Sequence, residues 1–505
     1  SSRPHIITEH PMNCVPLYIN GEFIETRERQ NVLNPSTGKV IAQVFLASEK
    51  EIDLAIESAR KAFDKGLWSG LPPLERKAVI LRVAQGILNK AGELARIETE
   101  STGKPIKETT FMDVPSAAKT FEYAANNLEA YLANEILTPA EEAGAVLLRE
   151  PVGVVSLIIP WNYPLLIASW KLASALAAGN TVILKPSSIT PLTAFELGKI
   201  IHDAGMPPGV VNIINASGAN SGQILCCDKR IDMVSFTGSL EVGKEILRYT
   251  SSSVKKLILE LGGKSASLIF ADVDIETAVN SSLCSVFLNQ GQMCTAMSRI
   301  FVQEKIYDQF IASFVSKAKA IKLGLSDNHE TQMGPLVTDS QRKKIIAYLE
   351  KAKTEGARIL CGGKIPQDAE LKNGYFFEPT VIGNVKPHMH IFKEEVFGPV
   401  AIVGSFSDAK EAVELANHSD FGLAACIWSK DLGFAEEAAK KINAGTIWIN
   451  TYGMFYNQLP YGGFKQSGFG KELGREGLLE YTRLKNVIID HSNEGKPLVN
   501  YWYGF

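Results

Sequence analysis

The chain has few cysteines, little net charge and no low-complexity block. Seven cysteines among 505 residues are sparse and odd in number, which argues against a disulfide framework and predicts a reducing, cytoplasmic compartment. A net charge of -3 excludes the strongly basic surface typical of nucleic-acid-binding proteins. Glycine and proline, 41 and 23 residues, are close to average usage, so we expect an ordinary globular protein.

The sequence also lacks an uninterrupted apolar run long enough for a membrane span. The most apolar stretch is 152–170, but Pro160, Asn162 and Pro164 interrupt it, and a spanning helix needs about 20 mostly apolar residues. We interpret this stretch as a buried strand over 153–159, a sharp turn and a helix from Leu165. The first residues, SSRPHIITEHPMNCVP, do not have the pattern of a secretory signal.

The order of elements predicts the fold class. Apolar residues recur at helical spacing from about 48 to 133, whereas short β-branched runs alternate with helical segments after Glu150. This alternation runs to residue 261, and a second series begins at Ser267. Alternating strands and helices predict parallel sheets covered by helices. We therefore expect an α/β protein with two lobes and a cleft between them, where ligands bind beyond the carboxyl ends of strands.

Three residues have local settings that suit catalysis. Cys294 lies in NQGQMCTAMSR, between a predicted helix and a strand, and is a candidate nucleophile. Glu260 ends the apolar run LILEL, where burial would raise its pKa and suit it to general-base work. Asn162 lies in PWNYP, where its amide is placed to donate to an oxyanion. Taken singly, a structural thiol, a strand-end glutamate and a turn asparagine remain open alternatives.

Signals for a metal are absent from the sequence, and signals for a nucleotide are moderate. No CxxC pair or His/Cys cluster has zinc spacing. GFGKELG (468–474) is a poor match to GxGxxG, because it has one residue too many. FTGSLEVG (236–243) follows a predicted strand and opens a helix, so its amides can face phosphate. Lys185 ends the run TVILK and is also placed to meet a polar ligand.

As a set, the motifs resemble the aldehyde dehydrogenase superfamily. PWNYP, KPS, FTGS, LELGGKS, GQMC, EEVFGP and PYGGFKQSGFGKE occur in the order that the family has. Each motif alone is weak, whereas the full series is specific. The resemblance implies two Rossmann-type α/β lobes and a β-flap that joins subunits into a homodimer or homotetramer. It divides the chain into an NAD(P)-binding domain (1–128 and 152–262), a catalytic domain (263–481) and an oligomerisation element (129–151 and 482–505).

The resemblance also implies a role for each catalytic residue. Cys294 attacks the aldehyde carbon, and the Asn162 side chain with the Cys294 N–H holds the oxyanion. Transfer of hydride to the nicotinamide leaves a thioester, and Glu260 activates water to hydrolyse it. Lys171 and Glu472 resemble the family's proton-relay pair behind that glutamate.

The cofactor implied is NAD or NADP. The residues expected to contact it are Ile159, Trp161, Lys185, Ser188, Gly218, Gly222, Phe236, Gly238, Ser239, Val242, Glu395 and Phe397. One of them departs from the pattern of many NAD-preferring relatives, which have a glutamate where this chain has Ser188. Because that glutamate repels the 2′-phosphate of NADP, its replacement predicts use of both cofactors.

The implied aldehyde tunnel is aromatic. Its predicted lining is Tyr163, Trp170, Phe287, Phe455 and Tyr461. Such a box suits a quaternary ammonium group, and the wording of WNYPLLIASWK and the terminal LVNYW resembles betaine-aldehyde dehydrogenases. Broad-specificity aldehyde dehydrogenases have aromatic tunnels too, so both interpretations stay open. A CoA-acylating semialdehyde dehydrogenase or a non-enzymatic structural protein fits less well, because Glu260 is present.

Overall fold

The structure is a computed structural model that describes residues 14–141, 143–491 and 502–503. The expectations for the first 13 residues, and for 492–501 and 504–505 of the predicted oligomerisation element, fall outside the described residues. Elements of the first part of the chain are β1 (Cys14–Val15), β2 (Leu17–Ile19), β3 (Glu22–Ile24), β4 (Arg29–Leu33), β5 (Val40–Phe45), α1 (Glu49–Asp64), α2 (Pro73–Asn89), α3 (Ala91–Thr102), α4 (Ile106–Glu108), a π-helical turn (Thr109–Asp113), α5 (Val114–Tyr131), β6 (Glu135–Ala140) and β7 (Ala143–Pro151).

The middle part alternates strictly between strand and helix, as its sequence predicts. Its elements are β8 (Val154–Ile158), α6 (Pro164–Ala177), β9 (Thr181–Lys185), α7 (Leu192–Asp203), β10 (Val211–Ile213), α8 (Gly218–Cys227), β11 (Met233–Thr237), α9 (Leu240–Thr250) and β12 (Lys256–Glu260).

The last part forms the second lobe and returns to the first. Its elements are β13 (Ala266–Ile269), α10 (Ile275–Phe287), β14 (Arg299–Gln303), α11 (Glu304–Ala320), α12 (Asp339–Thr354), β15 (Arg358–Cys361), β16 (Thr380–Gly383), α13 (His390–Lys393), β17 (Val400–Phe406), α14 (Ala409–Asn417), β18 (Phe421–Gly422), β19 (Ala424–Trp428), α15 (Leu432–Ala439), β20 (Thr446–Ile449), β21 (Phe464–Lys465), β22 (Gly468–Phe469), α16 (Gly474–Glu480) and β23 (Thr482–Asp490).

The first large sheet has the strand order β22-β12-β11-β8-β9-β10-β2-β3. Its five central strands, β12 to β10 in that order, are parallel, and they are apolar runs because helices cover both faces. Chain order reverses between β8 and β11, which makes this point a topological switch. Residues that follow β8 and β11 therefore lie side by side at the carboxyl edge, where the sequence placed PWNYP and FTGS.

The second large sheet has the order β15-β16-β17-β14-β13-β19-β20 and is parallel except for its edge strand β15. These two helix-covered sheets confirm the predicted α/β class. The segment that contains Cys294 precedes β14, so it lies at the amino edge of the second sheet, whereas Asn162 and Glu260 follow strands of the first. The predicted site therefore lies beyond the carboxyl ends of the strands in the first sheet, but at the amino ends of the strands in the second.

A separate three-stranded antiparallel sheet has the order β23-β7-β6. Its longest pairing joins Thr482 to Pro151 at one end and Asp490 to Ala143 at the other. These strands fall within the predicted oligomerisation element, and the domain boundaries themselves stay a prediction. In the part of the chain that the structure describes, no helix is both long and apolar enough to cross a membrane.

Candidate active site

A turn with three left-handed residues positions the cysteine. Helix α10 ends at Phe287, and Asn289, Gln290 and Gly291 then have φ of 47°, 57° and 71°. A Cβ added to Gly291 would lie 2.0 Å from the carbonyl oxygen of Gly398, so this position requires glycine for space as well as for conformation. The turn presents Cys294, whose thiol is half-buried, to the carboxyl edge of the first sheet.

The amide of Asn162 reaches this loop from the first sheet. Its Nδ2 donates to the carbonyl oxygen of Gln292 at 3.0 Å, and Asn289 Nδ2 donates back to the carbonyl oxygen of Asn162 at 3.1 Å. Asn162 is 4% exposed, so these contacts hold it firmly. Because a side-chain amide carries two N–H groups, the second is available to an oxyanion formed at Cys294.

Glu260 ends β12 as a buried carboxyl group without partners. It is 2% exposed, and neither of its carboxylate oxygens has a hydrogen-bond partner. Burial, and next the charge of Glu472, raise the pKa of Glu260 well above its ordinary value, while Lys171 opposes the shift. A carboxyl group of this kind suits general-base catalysis near neutral pH.

Behind Glu260 lies a buried polar group, and the two residues predicted as its relay are in contact. Lys171 Nζ forms an ion pair with Glu472 and donates to Ser235 Oγ at 2.7 Å. Tyr481 donates its hydroxyl hydrogen to the same Ser235 oxygen at 3.0 Å. Sequence reasoning missed Ser235 and Tyr481, because a serine inside the apolar strand β11 carries no motif and its partner is 246 residues away.

The hydroxyl group of Tyr461 lies 3.1 Å from Cys294 Sγ. The sequence analysis predicted Tyr461 only as a lining residue of the tunnel and did not predict this contact with the sulfur. Burial raises the pKa of the Cys294 thiol to about 12, and the hydrogen bond from Tyr461 opposes that rise. Once the sulfur is a thiolate it can only accept, so Tyr461 then acts as donor and stabilises the nucleophilic form.

We therefore expect Tyr461→Phe to raise the pKa of Cys294 and to slow its alkylation by iodoacetamide. Loss of one hydrogen bond worth about 0.5–1.5 kcal/mol predicts a fall of roughly 3- to 10-fold at a fixed pH near 8. Tyr452→Phe is the matched control, because the Tyr452 hydroxyl donates to the Thr295 carbonyl oxygen at 3.3 Å and leaves the Cys294 sulfur untouched. Equal alkylation rates in both variants would contradict the assignment.

Three of the predicted tunnel residues form one aromatic cluster. Ring centroids lie 5.4 Å apart for Trp170 and Tyr461, 5.6 Å for Phe455 and Tyr461, and 5.9 Å for Trp170 and Phe455. Trp448, which the sequence did not indicate, joins the cluster at 5.5 Å from Phe455. The cluster reaches Cys294 through the hydroxyl group of Tyr461.

The other two predicted tunnel residues are placed differently. Tyr163 has the ammonium of Lys104 over its ring, 3.9 Å from the centroid, so one face is already occupied. The ring of Phe287 stacks on Phe314 in the core of the second sheet, with centroids 6.2 Å apart. Phe287 also borders a cavity of about 400 Å³ beside Leu288, whose lining contains no member of the aromatic cluster.

Predicted cofactor residues gather at the switch point of the first sheet. Lys185 ends β9, where burial lowers the pKa of its ammonium, and its carbonyl oxygen accepts the N–H of Ile159 at 3.1 Å.

Ser239 caps α9 by accepting the N–H of Val242 at 3.4 Å. Phe236 lies near the end of β11, and Gly238 lies in the turn between this strand and the helix N-terminus. Gly218 and Gly222 lie in the first turns of α8.

The opposite wall carries two further predicted cofactor residues, Glu395 and Phe397. Phe397, at φ 57°, packs edge-on against Trp161 with ring centroids 5.3 Å apart. Glu395 accepts the N–H of Gly263 at 2.9 Å, and burial raises the pKa of its carboxyl group to about 7. A cation, a carboxylate and a helix N-terminus thus face one cleft, as a dinucleotide with phosphates and ribose hydroxyls requires.

The described residues contain no group of three or more His, Cys, Asp or Glu side chains that could hold a metal ion. The three residues predicted to be catalytic contribute a thiol, an amide and a carboxyl group. A thiol beside an amide donor suits attack on a carbonyl carbon, and a carboxyl group kept apart from the thiol suits activation of water.

Comparisons with known proteins identify the family of this chain. The family model "Aldehyde dehydrogenase family" matches residues 23–487. Betaine aldehyde dehydrogenase of Bacillus subtilis (strain 168) is 44% identical over 489 residues, covering 96% of this chain and 99% of the relative. Human mitochondrial aldehyde dehydrogenase is 41% identical over 480 residues, covering 94% and 92%.

Solved structures give the same result. The crystal structure of a betaine aldehyde dehydrogenase from Staphylococcus aureus in complex with NAD+ is 40% identical, with a TM-score of 0.93 and 96% of both chains covered. The resemblance predicted from the motifs is confirmed: the chain belongs to the aldehyde dehydrogenase family and is an NAD(P)-dependent aldehyde dehydrogenase.

Proposed function

We propose that this enzyme oxidises an aldehyde that carries a quaternary ammonium group, of the betaine aldehyde type, to the carboxylic acid. The observation that carries the proposal is the contact between the aromatic cluster and the nucleophile, where Tyr461 touches Cys294 Sγ at 3.1 Å. An aldehyde bound at the sulfur therefore has its substituent among aromatic rings. A quaternary ammonium gains roughly 0.5–2 kcal/mol from a favourable ring contact, and relatives named betaine aldehyde dehydrogenase support this substrate class.

The first half of the reaction uses Cys294 and Asn162. The Cys294 thiolate attacks the aldehyde carbon, and the oxygen of the resulting thiohemiacetal becomes an oxyanion. The Asn162 amide, fixed on Gln292 at 3.0 Å, donates its second N–H to that oxygen, together with the backbone N–H of Cys294. When bound, the nicotinamide supplies the hydride acceptor, and a thioester on Cys294 remains.

The second half uses Glu260. Its carboxylate removes a proton from water, and that water attacks the thioester carbon. The acid leaves and the Cys294 thiolate is restored. Glu472 and Lys171, joined by an ion pair, are placed to take the proton from Glu260 and return the base to its ionised form.

A panel of two aldehydes tests the substrate class. Betaine aldehyde and its neutral carbon isostere 3,3-dimethylbutanal have the same shape, so the ratio of their kcat/KM values isolates the positive charge. We expect betaine aldehyde to be favoured by about tenfold or more, which is about 1.4 kcal/mol. Equal efficiencies would favour the alternative, a broad-specificity aldehyde dehydrogenase. Turnover that requires CoA would contradict both the betaine-aldehyde proposal and the broad-specificity alternative.

Cofactor use is predicted from the loop after β9. Ser188 is half-buried, and its carbonyl oxygen accepts Gln30 Nε2 at 3.1 Å, so the loop is held near Lys185. A serine carries no charge against a 2′-phosphate, and we expect measurable activity with NADP as well as NAD. Ser188→Glu should lower kcat/KM for NADP by about tenfold or more, about 1.4 kcal/mol, with NAD largely unaffected.

Ser188→Gln is the matched control for that prediction, since it adds similar bulk without charge. Comparable losses in the Glu and Gln variants would mean that size rather than charge decides. Complete rejection of NADP by the wild-type enzyme would show that another position sets the preference.

We also propose assembly through the sheet β23-β7-β6, as a homodimer or homotetramer. Ile136, Leu484 and Ile488 expose 81%, 53% and 68% of their surfaces on its strands, an apolar surface that a second copy of the chain would cover. Light scattering of the purified protein measures the assembly, and a monomer would contradict it. A cytoplasmic location follows from the sparse cysteines and stays part of this proposal.

A further inference from the structure

The nucleophile loop contains three consecutive left-handed residues, which is an unusual backbone for a segment that includes a glutamine. Asn289 and Gln290 are both left-handed, with φ of 47° and 57°, and Gly291 follows at 71°. Left-handed non-glycine residues persist only where the surrounding structure holds them. The position of Cys294, five residues after Asn289, therefore depends on whatever fixes this turn.

One carboxyl group from a distant part of the chain contacts the start of the turn. Both oxygens of Glu108 accept the backbone N–H of Asn289, at 3.2 Å and 3.1 Å. Glu108 is only 5% exposed, and it lies at the end of α4, next to the π-helical turn Thr109–Asp113. A carboxyl group 181 residues away in the chain thus supplies the acceptor for the first left-handed N–H.

Glu108 belongs to a buried ionic cluster, which we define as Glu98, Lys104, Glu108 and Asp113. Lys104 forms an ion pair with Asp113 and lies 3.8 Å from Glu98. Glu98 accepts the backbone N–H of Leu165, in the first turn of α6, at 3.2 Å. The cluster therefore contacts both halves of the active site, the turn that carries Asn162 and the loop that carries Cys294.

The charge balance of this cluster indicates how Glu108 acts. Three carboxyl groups share one lysine, and burial raises the pKa of Glu108 to about 8 despite the nearby Lys104. At neutral pH this carboxyl group is therefore largely protonated. What Glu108 provides is an oxygen close enough to accept the Asn289 N–H, and a glutamine side chain would provide such an oxygen too.

From these contacts we infer that Glu108 is a positioning residue for acylation: by accepting the Asn289 N–H it holds the left-handed turn so that Cys294 Sγ and the Asn162 amide face the same carbonyl group. The inference rests on the proposed role of Cys294 as the nucleophile. Glu108 itself contacts the loop backbone and not the reacting atoms. A misplaced sulfur slows the attack on the aldehyde without weakening the wall of the cofactor cleft that the first sheet forms.

Three substitutions separate the reach of the side chain from its carboxyl group. Glu108→Gln keeps an acceptor oxygen at the same distance without a carboxyl group, Glu108→Asp keeps the carboxyl group and shortens the reach, and Glu108→Ala removes the acceptor altogether. Glu100→Ala is the matched control, because this carboxylate of α3 pairs only with the exposed Arg96, at 2.9 Å. Each variant is assayed for the rate of the first NADH burst in rapid mixing, for NAD affinity and for thermal unfolding.

We expect Glu108→Asp and Glu108→Ala to slow the burst at least tenfold, with NAD affinity within twofold of wild type. Glu108→Gln and Glu100→Ala should stay within threefold. A burst as slow in Glu108→Gln as in Glu108→Asp would overturn the inference, and so would a normal burst in a folded Glu108→Asp. If Glu108→Ala fails to fold, the burst rate of Glu108→Asp alone tests the inference. Failure of the proposed function is distinguishable, because Cys294→Ala would then retain a burst.

Discussion

Replacing Cys294 with alanine is expected to abolish aldehyde oxidation. Alanine provides no nucleophile, so neither the thiohemiacetal nor the thioester can form, and we expect turnover to fall by a factor on the order of 10⁴ or more. NAD binding should survive, since most of the predicted cofactor residues lie on or after strands of the first sheet while Cys294 precedes a strand of the second. Steady-state NADH formation and NAD titration by fluorescence measure the two effects.

Cys284→Ala is the matched control for this prediction. Cys284 is a free thiol on α10, ten residues before Cys294 and exposed rather than set against Tyr461. We expect its replacement to leave turnover within twofold of wild type. Normal turnover in Cys294→Ala would refute the assignment of the nucleophile.

Replacing Glu260 with glutamine should trap the acyl-enzyme. Attack by Cys294 and loss of hydride do not need this base, whereas activation of water does, so the first NADH burst should remain and later turnover should fall about 10²- to 10⁴-fold. Intact-mass measurement should show the acyl adduct on the protein. Unchanged turnover without an adduct would contradict the role of Glu260.

The pH dependence gives a second readout for Glu260. Its carboxyl group must be ionised to act, and burial together with Glu472 raises its pKa well above the ordinary value. Thioester hydrolysis should therefore increase as pH rises through that raised pKa and decline towards acid pH. Glu260→Gln should remove this dependence. Glu480→Gln is the control, and it should keep the pH dependence because Glu260 itself is retained. Glu480 also raises the pKa of Glu260, but it pairs with Lys256 at 3.1 Å outside the site.

Several elements follow from local sequence pattern, and the structure agrees with them closely. The run TVILK forms β9 over Thr181–Lys185, and FTGSLEVG opens the predicted helix, α9, at Leu240. The sequence predicts such segments because apolar runs and capping residues determine secondary structure through residues close in the chain. The left-handed pair Asn289–Gln290 was not predicted, because glutamine does not favour that conformation and asparagine adopts it only occasionally without tertiary contacts.

The prediction for the tunnel shows the limit of position-by-position transfer. Trp170, Phe455 and Tyr461 lie together as expected, yet Phe287 packs on Phe314 while its neighbour Leu288 is the less buried of the two. Phe287 is the last residue of α10 and packs its ring into the core, whereas Leu288 follows the helix, and both residues border the same cavity. Only packing decides how two adjacent apolar residues divide between core and cavity.

By itself, the sequence determined the α/β class, the family and the identity of the three candidate catalytic residues, because these depend on short motifs and on periodicity. The tertiary structure alone decided how they meet: the carboxyl edge of one sheet faces the amino edge of the other, which brings Asn162 and Gln292 within 3.0 Å. It also placed Tyr461 on the Cys294 sulfur and Glu108 on the Asn289 N–H. These contacts join residues more than a hundred positions apart, and nothing in a local pattern encodes which distant groups the packing of two lobes will bring together.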